Sequence, residues 1–481
     1  MLKGLLRRLI GDRRGNIAMV YAISVPVVIL AVGIAIDFGR AAQLRTKLNA
    51  AADSAALAAL TPAMMAQSNA TAQAAALAMF NGQAAGLAGL AAGQTSVTVT
   101  ITNPNGNVLD RQVSVCYNAA ESTIFAGILH ASILPMGNCA QAQAAIPPNI
   151  NFYLLLDNSP SMALPATTAG ITQMVNLTPK QDGGNACAFA CHQASTNNSD
   201  TAGNPCLATV NGVATYTTPT QSSGQYCATT QGTQIDNFAL ARKNNITLRL
   251  DELTSAVTTL MSTAQQTVAA TPYNPPPVYQ FAVNSMDSSW QVGFTNLMAL
   301  TSDYVNSWAS AASSFGVMGM YSNGNNCAQA ACTSGTSSND MNTNYDNAMS
   351  NANTQMPNPG NGTNVAGDTP QEVLFIVTDG VEDESNGGRL IQPINYGTSH
   401  NYCTDIKKRG IRIAVLYTEY LPVTTNAFYN SNVAPFQAQI GPALQACASP
   451  GLFYDATINT DLGQALSSLF QAVVQSANLT Q

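Results

Sequence analysis

The first sustained hydrophobic pattern in the chain is an uninterrupted apolar run near the N-terminus. Residues 16–36 contain no charged side chain. As an α-helix they would span about 31 Å, the thickness of a bilayer core. Five basic residues precede the run and Asp37 follows it, so the positive-inside rule predicts a cytoplasmic tail over residues 1–15, a single transmembrane helix over 16–36 and an exported remainder. A cleaved signal peptide is the alternative, but its apolar region is shorter, about 7–15 residues.

Two further patterns follow the apolar run. Residues 37–63 are rich in alanine and place apolar side chains at helical spacing, which predicts a helical stalk continuous with the membrane helix. Residues 64–147 are predicted to be an Ala/Gln/Gly-rich linker followed by a small β-rich subdomain. The alternating β-branched residues of Ser96–Thr102, followed by Asn-Pro-Asn-Gly, are typical of a strand and a turn.

From Ile150 onward, candidate strands and helices alternate. The apolar runs Phe152–Leu156, Glu372–Thr378 and Ile411–Tyr417 are typical of buried strands. With the helical patterns between them, they predict one α/β domain of about six strands over residues 148–481. Two Gly/Asn/Thr/Ser-rich insertions, 163–234 and 320–340, interrupt it. They are predicted either to be pinned by disulfides and to shape access to a site, or to be neutral decorations.

The composition favours an extracytoplasmic protein and argues against a nucleic-acid-binding protein. Charged residues make up 9% of the 481 residues and the net charge is −7, whereas charged residues form about 25% of an average soluble chain. A mostly neutral polar surface is typical of an extracytoplasmic protein. No basic stripe occurs beyond the N-terminal tail, so we expect no nucleic-acid partner.

All ten cysteines follow the apolar run, which favours disulfides in an oxidising compartment. We predict that Cys116 pairs with Cys139 and Cys403 with Cys447. The spacing Cys187-x-x-x-Cys191-His192 also permits a zinc site, but the chain has only three histidines and the segment is loop-like, so zinc is the weaker interpretation.

Candidate chemistry lies at the ends of two apolar strands. Asp157, Ser159 and Ser161 follow the run 152–156, and Asp379 follows the run 372–378. In an open parallel sheet, ligands bind beyond the carboxyl ends of the strands. Carboxylates and spaced hydroxyls suit a hard divalent cation such as Mg²⁺. Taken alone, Asp-x-Ser-x-Ser could also be an ordinary helix N-cap.

These residues resemble the von Willebrand factor A domain, whose metal-ion-dependent adhesion site combines an Asp-x-Ser-x-Ser loop, a threonine from a second loop and an aspartate from a third. Thr378-Asp379-Gly380 matches the third loop, and Thr343 fits the second, with Thr301 and Thr336 as competitors. The resemblance implies a Rossmann-like, mostly parallel central sheet with helices on both faces. It also implies an Mg²⁺ ion, or Mn²⁺ or Ca²⁺, held by a set of five residues: Asp157, Ser159, Ser161, Thr343 and Asp379. A protein partner would then donate a carboxylate to the ion. The acidic run 382–384 is predicted to be a solvated loop.

The N-terminal region resembles TadE/TadG-like proteins of Flp pilus assembly. The resemblance rests on Gly15-Asn-Ile-Ala, on Asp37-Phe-Gly-Arg40 and on Ala51-Ala-Asp-Ser-Ala-Ala-Leu57. Pilins of this group are cut after a glycine that has a glutamate five residues later; here Val20 stands at that position, which favours a permanently anchored, TadG-like protein. The resemblance implies the bacterial inner membrane, a periplasmic or surface-exposed C-terminal domain, and Tad pilus-assembly components as partners.

Three functions follow as hypotheses. The first is pilus assembly or surface adhesion through the metal, without catalysis. The second is a structural pilus or platform component with a vestigial metal site. The third is a hydrolase that uses Ser159 or Ser161, but a base would have to come from His130, His192 or His400, and the chain contains no Gly-x-Ser-x-Gly elbow and no Walker A loop.

Overall fold

The computed structural model describes most of the chain after its N-terminal tail. The described residues are 15–104, 108–179, 181, 186–190, 192–193, 203–220, 227, 231–286, 294–316, 319–320, 343–385, 389–394, 401–424, 426–458 and 460–476. Thr336, Cys191, Cys327, Cys332, His400 and the tail lie outside them. The chain divides into two compact units: one extends to Ile146 and includes Pro272–Pro275, and the other comprises the rest from Pro147.

The first unit begins with one long helix, α1 (Gly15–Ala58). The predicted membrane helix and stalk are therefore continuous. Side chains from Met19 to Ile36 are largely exposed, whereas Leu44 and Leu48 further along are buried. Among the described helices, the stretch Met19–Ala58 is long and apolar enough to cross a membrane, which supports a single-pass anchor or a signal sequence.

The second half of α1 packs against a small sheet and two short helices. The helices are α2 (Pro62–Met65) and α3 (Asn69–Ala84). The strands β1 (Ser96–Thr102), β2 (Asp110–Ser122) and β3 (Ile133–Ala145) form an antiparallel sheet in that order. The predicted linker thus differs from the structure, because α3 buries Ala72, Ala76 and Phe80 in the core of this unit. The buried face of α3 is rich in alanine, which allows close packing. The Ala/Gln/Gly-rich composition alone did not reveal this buried helix.

A disulfide and an arginine fasten the β-rich subdomain. Cys116 and Cys139 stand directly opposite each other on β2 and β3 and are bonded, as predicted. Arg111 is buried, and its guanidinium donates to the carbonyls of Ala59, Met64 and Gln67. Ala59 directly follows α1, Met64 lies in α2, and Gln67 follows α2. One side chain therefore satisfies carbonyl acceptors at the C-terminal ends of two helices.

The second unit is built on a six-stranded sheet. Its strands are β4 (Ile150–Asp157), β9 (Tyr279–Met286), β10 (Phe294–Thr301), β12 (Gln371–Thr378), β15 (Arg412–Thr418) and β16 (Phe453–Ala456), in the spatial order β10-β9-β4-β12-β15-β16. All neighbours are parallel except the edge strand β10, which is antiparallel to β9. The expectation of a mixed α/β domain with a multi-strand sheet after a long apolar helix is confirmed.

Helices cover both faces of this sheet. Side chains of β4 alternate between them, so that Phe152 and Leu154 enter one core while Tyr153 and Leu155 enter the other. The helices of this unit are α4 (Thr168–Leu177), α5 (Asn237–Lys243), α6 (Arg249–Ala269), α7 (Tyr304–Ala311), α8 (Tyr345–Gln355), α9 (Tyr402–Lys408), α10 (Gln437–Cys447) and α11 (Leu462–Ser476). Of these, α6, α7 and α11 line the first core and α8, α9 and α10 the second.

The remaining short strands lie outside the main sheet. They are β5 (His192–Gln193) paired with β11 (Gly319–Met320), the set β6 (Cys206–Val210), β7 (Val213–Thr217) and β8 (Thr233–Gln234), and the hairpin of β13 (Val381–Ser385) and β14 (Arg389–Pro393). Within the insertion 163–234 the described residues include α4 and the strands β5 to β8, and Cys206 is bonded to Cys227. Cys403 on α9 is bonded to Cys447 on α10, as predicted.

Candidate functional site

The candidate site lies where the strand order of the main sheet reverses. From β4 the chain continues to β9 and β10 on one side, and from β12 to β15 and β16 on the other. Such a switch point leaves a crevice beyond the carboxyl ends of the two central strands. Asp157 is the last residue of β4, and β12 ends at Thr378, so both strands deliver their final residues to this crevice.

The carboxylate of Asp157 is the centre of a hydrogen-bond cluster. Thr378 Oγ1 donates to its Oδ2 over 2.6 Å, and the Ser159 backbone N–H donates to its Oδ1 over 2.9 Å. The Ser159 hydroxyl and the Asp379 backbone N–H donate to the same carboxylate. The residue is fully buried, and burial raises its pKa despite these donors.

Asp379 joins the cluster through the serine loop. The Ser161 side chain lies within hydrogen-bonding range of its carboxylate, and one of the two serine hydroxyls donates to the other over an Oγ–Oγ distance of 2.8 Å. Asp379 is 1% exposed. Its pKa is raised to about 7, first by burial and then by the charge of Asp157, while the Arg249 guanidinium opposes the rise. Four of the five predicted ligands are therefore brought together: Asp157, Ser159, Ser161 and Asp379.

Gly380 makes the turn after Asp379 possible. Its φ is +82°, and a Cβ there would lie 2.4 Å from Ile440 Cγ2 on α10. Any other residue would be strained and would clash with this helix. The Gly380 N–H also donates to Thr378 Oγ1 over 2.9 Å, so the turn orients the threonine that contacts Asp157.

Thr343 lies two residues before Tyr345, which contacts the cluster through Thr378. It is buried, and its backbone exchanges two hydrogen bonds with Asp383, at 3.1 and 2.9 Å. Two residues later, at the start of α8, the Tyr345 hydroxyl bonds to Thr378 Oγ1. Of the two competing threonines, Thr301 ends the edge strand β10, where its hydroxyl accepts from the Asp303 N–H, and Thr336 is outside the described residues.

The acidic run 382–384 is not a solvated loop, so that prediction is wrong. Glu382, Asp383 and Glu384 are buried on β13. Carboxylate oxygens of Asp346, Glu382 and Glu384 all lie within 4.8 Å of one another. Burial raises the pKa of Glu382 to about 8, and the neighbouring carboxylates add to the rise, although Gln392 donates to it. These side chains are buried on a strand that pairs with β14, which charge alone did not predict.

Three contributors to the site were missed at the sequence level. Thr378 carried a signal, because it precedes Asp379 at a strand end and a parallel neighbour would place it beside Asp157. No sequence signal indicated that Tyr345 contributes to the site. Arg249, at the start of α6, is 5% exposed and donates to the Thr418 carbonyl over 3.4 Å. Its position depends on the docking of α6, which follows from the tertiary fold.

Comparisons with known proteins concern mainly the N-terminal region. Residues 15–79 match the model of the Flp pilus-assembly TadE/G-like family. No curated protein sequence matches the chain. Among solved structures, the chain is similar to the pilus adhesin SpaC from Lactobacillus rhamnosus GG, at 9% identity and a TM-score of 0.31, over 80% of this chain and 34% of that one.

It is also similar to the PilB minor pilin from Streptococcus sanguinis, at 8% identity and a TM-score of 0.31, over 80% of this chain and 78% of the pilin. The chain spans about a third of the length of the SpaC chain. A likeness at these scores carries no argument about fold or function. The family match and the apolar helix support a membrane-anchored, pilus-related protein.

Proposed function

We propose that the protein is an extracytoplasmic, membrane-anchored component of Flp/Tad pilus assembly or surface adhesion, whose second unit is a von Willebrand factor A-like domain. A divalent cation, Mg²⁺ or Mn²⁺ or Ca²⁺, is held there by Asp157, Ser159, Ser161, Thr343 and Asp379. A protein partner completes the coordination of the ion with a carboxylate. The domain binds its partner and does not catalyse a reaction.

The observation that carries the proposal is the convergence of two buried carboxylates and two hydroxyls from neighbouring strand ends. Asp157 and Asp379 are 0% and 1% exposed, and Ser159 and Ser161 link them by hydrogen bonds. Burying two interacting carboxylates is costly unless a positive charge compensates them. An all-oxygen donor set of this kind suits Mg²⁺ and Mn²⁺.

Charge balance supports the choice of an anionic partner. With both aspartates ionised and Arg249 protonated, these three groups sum to −1. A bound divalent cation would change the sum to +1. Ser161 is half-buried while the two aspartates are fully buried, so a partner would approach from the serine side. A carboxylate from the partner restores neutrality and supplies the oxygen ligand that a hard cation prefers.

The sheet supports the proposed fold assignment. A mostly parallel sheet in which the first strand lies centrally, with a switch point beside it and an antiparallel strand at one edge, is a Rossmann-like arrangement. The pilus part of the proposal rests on residues 15–79 and on the apolar helix α1. If the metal cluster is vestigial, the protein acts only as a structural component through this N-terminal region.

Isothermal titration with Mn²⁺ and Mg²⁺ tests the metal site. A fragment that starts at Pro147, where the second unit begins, is compared with Asp157→Asn and with the control Asp303→Asn. Asp303 is exposed, and its carboxylate accepts from Asn306, which an amide oxygen can replace. We expect saturable binding to the wild-type and control fragments and at least a tenfold loss of affinity in Asp157→Asn, or about 1.4 kcal/mol.

The same substitution in the full chain tests the function. Pilus output and adhesion of cells that produce Asp157→Asn are compared with those of the Asp303→Asn control. A loss specific to Asp157→Asn supports metal-dependent adhesion. The metal hypothesis fails, and the structural role stands, if the wild-type and Asp303→Asn fragments bind no metal. The same conclusion follows if Asp157→Asn cells keep full pilus output and adhesion.

A further inference from the structure

The connection between β2 and β3 is unusually apolar for an exposed segment. Residues 122–133 contain no Asp, Glu, Lys or Arg. Ile124, Ile128, Leu129 and Ile133 are 60%, 69%, 54% and 42% exposed. Four large apolar side chains in ten residues form a patch of the kind that marks a protein or membrane contact. We call residues 123–133 the apolar connection.

The apolar connection is fastened to α1 at one point. The carboxylate of Asp37 is fully buried and accepts from the backbone N–H groups of Ile124, Phe125 and Ala126, at 3.0, 2.9 and 2.8 Å. The Phe125 ring lies against Gly33, where an added Cβ would stand 2.5 Å from Phe125 Cγ. The position of the connection beside α1 is therefore fixed by a side-chain acceptor and by a notch in the helix.

This attachment point coincides with the end of the apolar run of α1. The run ends at Ile36, and Gly33 lies four residues before Asp37, or about 6 Å toward the apolar run along the helix axis. The flanking helix residues Ile36 and Phe38 are themselves 46% and 60% exposed. The apolar patch of the connection is thus continuous with the exposed apolar surface of the helix.

The rest of the β-rich subdomain lies along the part of α1 that follows the apolar run. Tyr117 donates its hydroxyl to Asn49 Oδ1 over 2.7 Å, and Arg111 donates to the carbonyl of Ala59. Strand β2 therefore runs beside α1 in the opposite direction, from Arg111 near Ala59 to the apolar connection near Asp37. The 22 residues from Asp37 to Ala59 correspond to about 33 Å of helix, so the other end of the sheet lies far from the apolar run.

We propose that the apolar connection inserts into the outer interfacial layer of the bilayer that α1 spans, so that the anchor consists of a helix and an adjacent apolar loop. The inference rests on the proposed membrane anchorage of α1. Apolar side chains at this depth leave water for the headgroup and acyl boundary, which lies about 5–10 Å deep for interfacial segments. Backbone N–H groups that enter such a medium need internal acceptors, and Asp37 supplies acceptors for three of them.

Tryptophan probes in the full chain, with one chain per lipid nanodisc, test this placement. Ile128→Trp reports the connection, Val27→Trp reports the middle of the apolar run, and Val108→Trp is the matched control. Val27 and Val108 are 63% and 51% exposed, and Val108 precedes β2 at the opposite end of the sheet. Quenching of each probe is measured with lipids brominated near the headgroup and, separately, with lipids brominated near the bilayer centre, and the signal of the two native tryptophans is subtracted with the unsubstituted chain.

We expect lipids brominated near the headgroup to quench Ile128→Trp, lipids brominated near the bilayer centre to quench Val27→Trp, and Val108→Trp to remain at background with both. Quenching of Val27→Trp without quenching of Ile128→Trp overturns the inference and leaves the anchor intact. If Val27→Trp is also unquenched, the membrane anchor itself fails. A blue-shifted but unquenched Ile128→Trp signal would mean that protein covers the patch, which also overturns the inference.

A second variant tests the role of Asp37 as a positioning residue. Asp37→Ala, combined with Ile128→Trp, removes the acceptor of three N–H groups. We expect the quenching of Ile128→Trp to fall at least about twofold, while Asp37→Ala combined with Val27→Trp keeps the quenching of Val27→Trp alone. Unchanged quenching of Ile128→Trp would show that Asp37 does not hold the connection at the interface.

Discussion

Replacing Asp379 by asparagine should stabilise the metal-free domain, and the gain should depend on pH. Asp379 is 1% exposed and sits beside Asp157. Asparagine has nearly the same shape, and its amide oxygen can still accept from Ser161, but it carries no charge. The substitution therefore removes the electrostatic penalty at the site while keeping most of the packing.

The magnitude follows from the pKa of Asp379, which rises from an ordinary 3.8 to about 7. A carboxyl whose folded-state pKa is raised contributes stability that is fully present below the unfolded-state pKa and is lost as pH rises through the folded-state pKa. At about 1.4 kcal/mol per pKa unit, the full penalty is about 4 kcal/mol. Between pH 5 and pH 8 the penalty grows by about 3 kcal/mol.

The assay is urea unfolding of the fragment that begins at Pro147, in EDTA, at pH 5 and at pH 8. The advantage of Asp379→Asn over the wild type should be larger at pH 8 by about 3 kcal/mol. Effects of the amide that do not depend on pH cancel in this difference. Asp303→Asn, at an exposed position, should change little between the two pH values.

Adding Mg²⁺ should reduce the advantage of Asp379→Asn at pH 8. A ligand at 100 times its dissociation constant stabilises the wild type by about 2.7 kcal/mol, whereas Asp379→Asn lacks one of the charges that hold the ion. If the advantage of Asp379→Asn in EDTA is the same at both pH values, the carboxyl is not raised in pKa, and the electrostatic argument for a divalent cation fails with it.

Three further predictions concern the scaffold of the second unit. Glu372→Gln should flatten the loss of unfolding free energy between about pH 5 and pH 8 in urea titrations, because burial raises the pKa of Glu372 from 4.5 to about 8; an unchanged slope would contradict this. Phe152→Ala should lower the free energy of unfolding by about 3–5 kcal/mol, since its fully buried ring stacks on Phe281 at 4.6 Å; a loss below about 1 kcal/mol would refute tight packing there. Replacing Cys403 and Cys447 together by alanine should cost about 2–4 kcal/mol in thermal unfolding, because the bridge closes a long loop, and added reductant should destabilise the wild type more than this variant, which keeps the other disulfides.

Elements with a strong local pattern were predictable from sequence. Ser96–Thr102 was predicted with its observed bounds, and Glu372–Thr378 differs from β12 by one residue. Strand β9 was missed because Gln280, Asn284 and Ser285 interrupt its apolar character. In the folded sheet Asn284 donates to Gln355 over 2.9 Å, so a partner distant in sequence makes a buried amide acceptable.

The sequence by itself determined the long apolar helix, the α/β character of residues 148–481, and Asp157 and Asp379 as strand-end candidates, because each depends on side chains close together in the chain. Only the tertiary structure decided which strands are neighbours. The register that sets Val377 opposite Leu156 brings Thr378 to the carboxylate of Asp157, and the docking of α6 brings Arg249 near Asp379. The same holds for the apolar connection, whose relation to Asp37 joins residues 87 to 89 positions apart. Hydrophobic periodicity reports which face of an element is buried, but the partner of a polar group is set by long-range packing that no local pattern encodes.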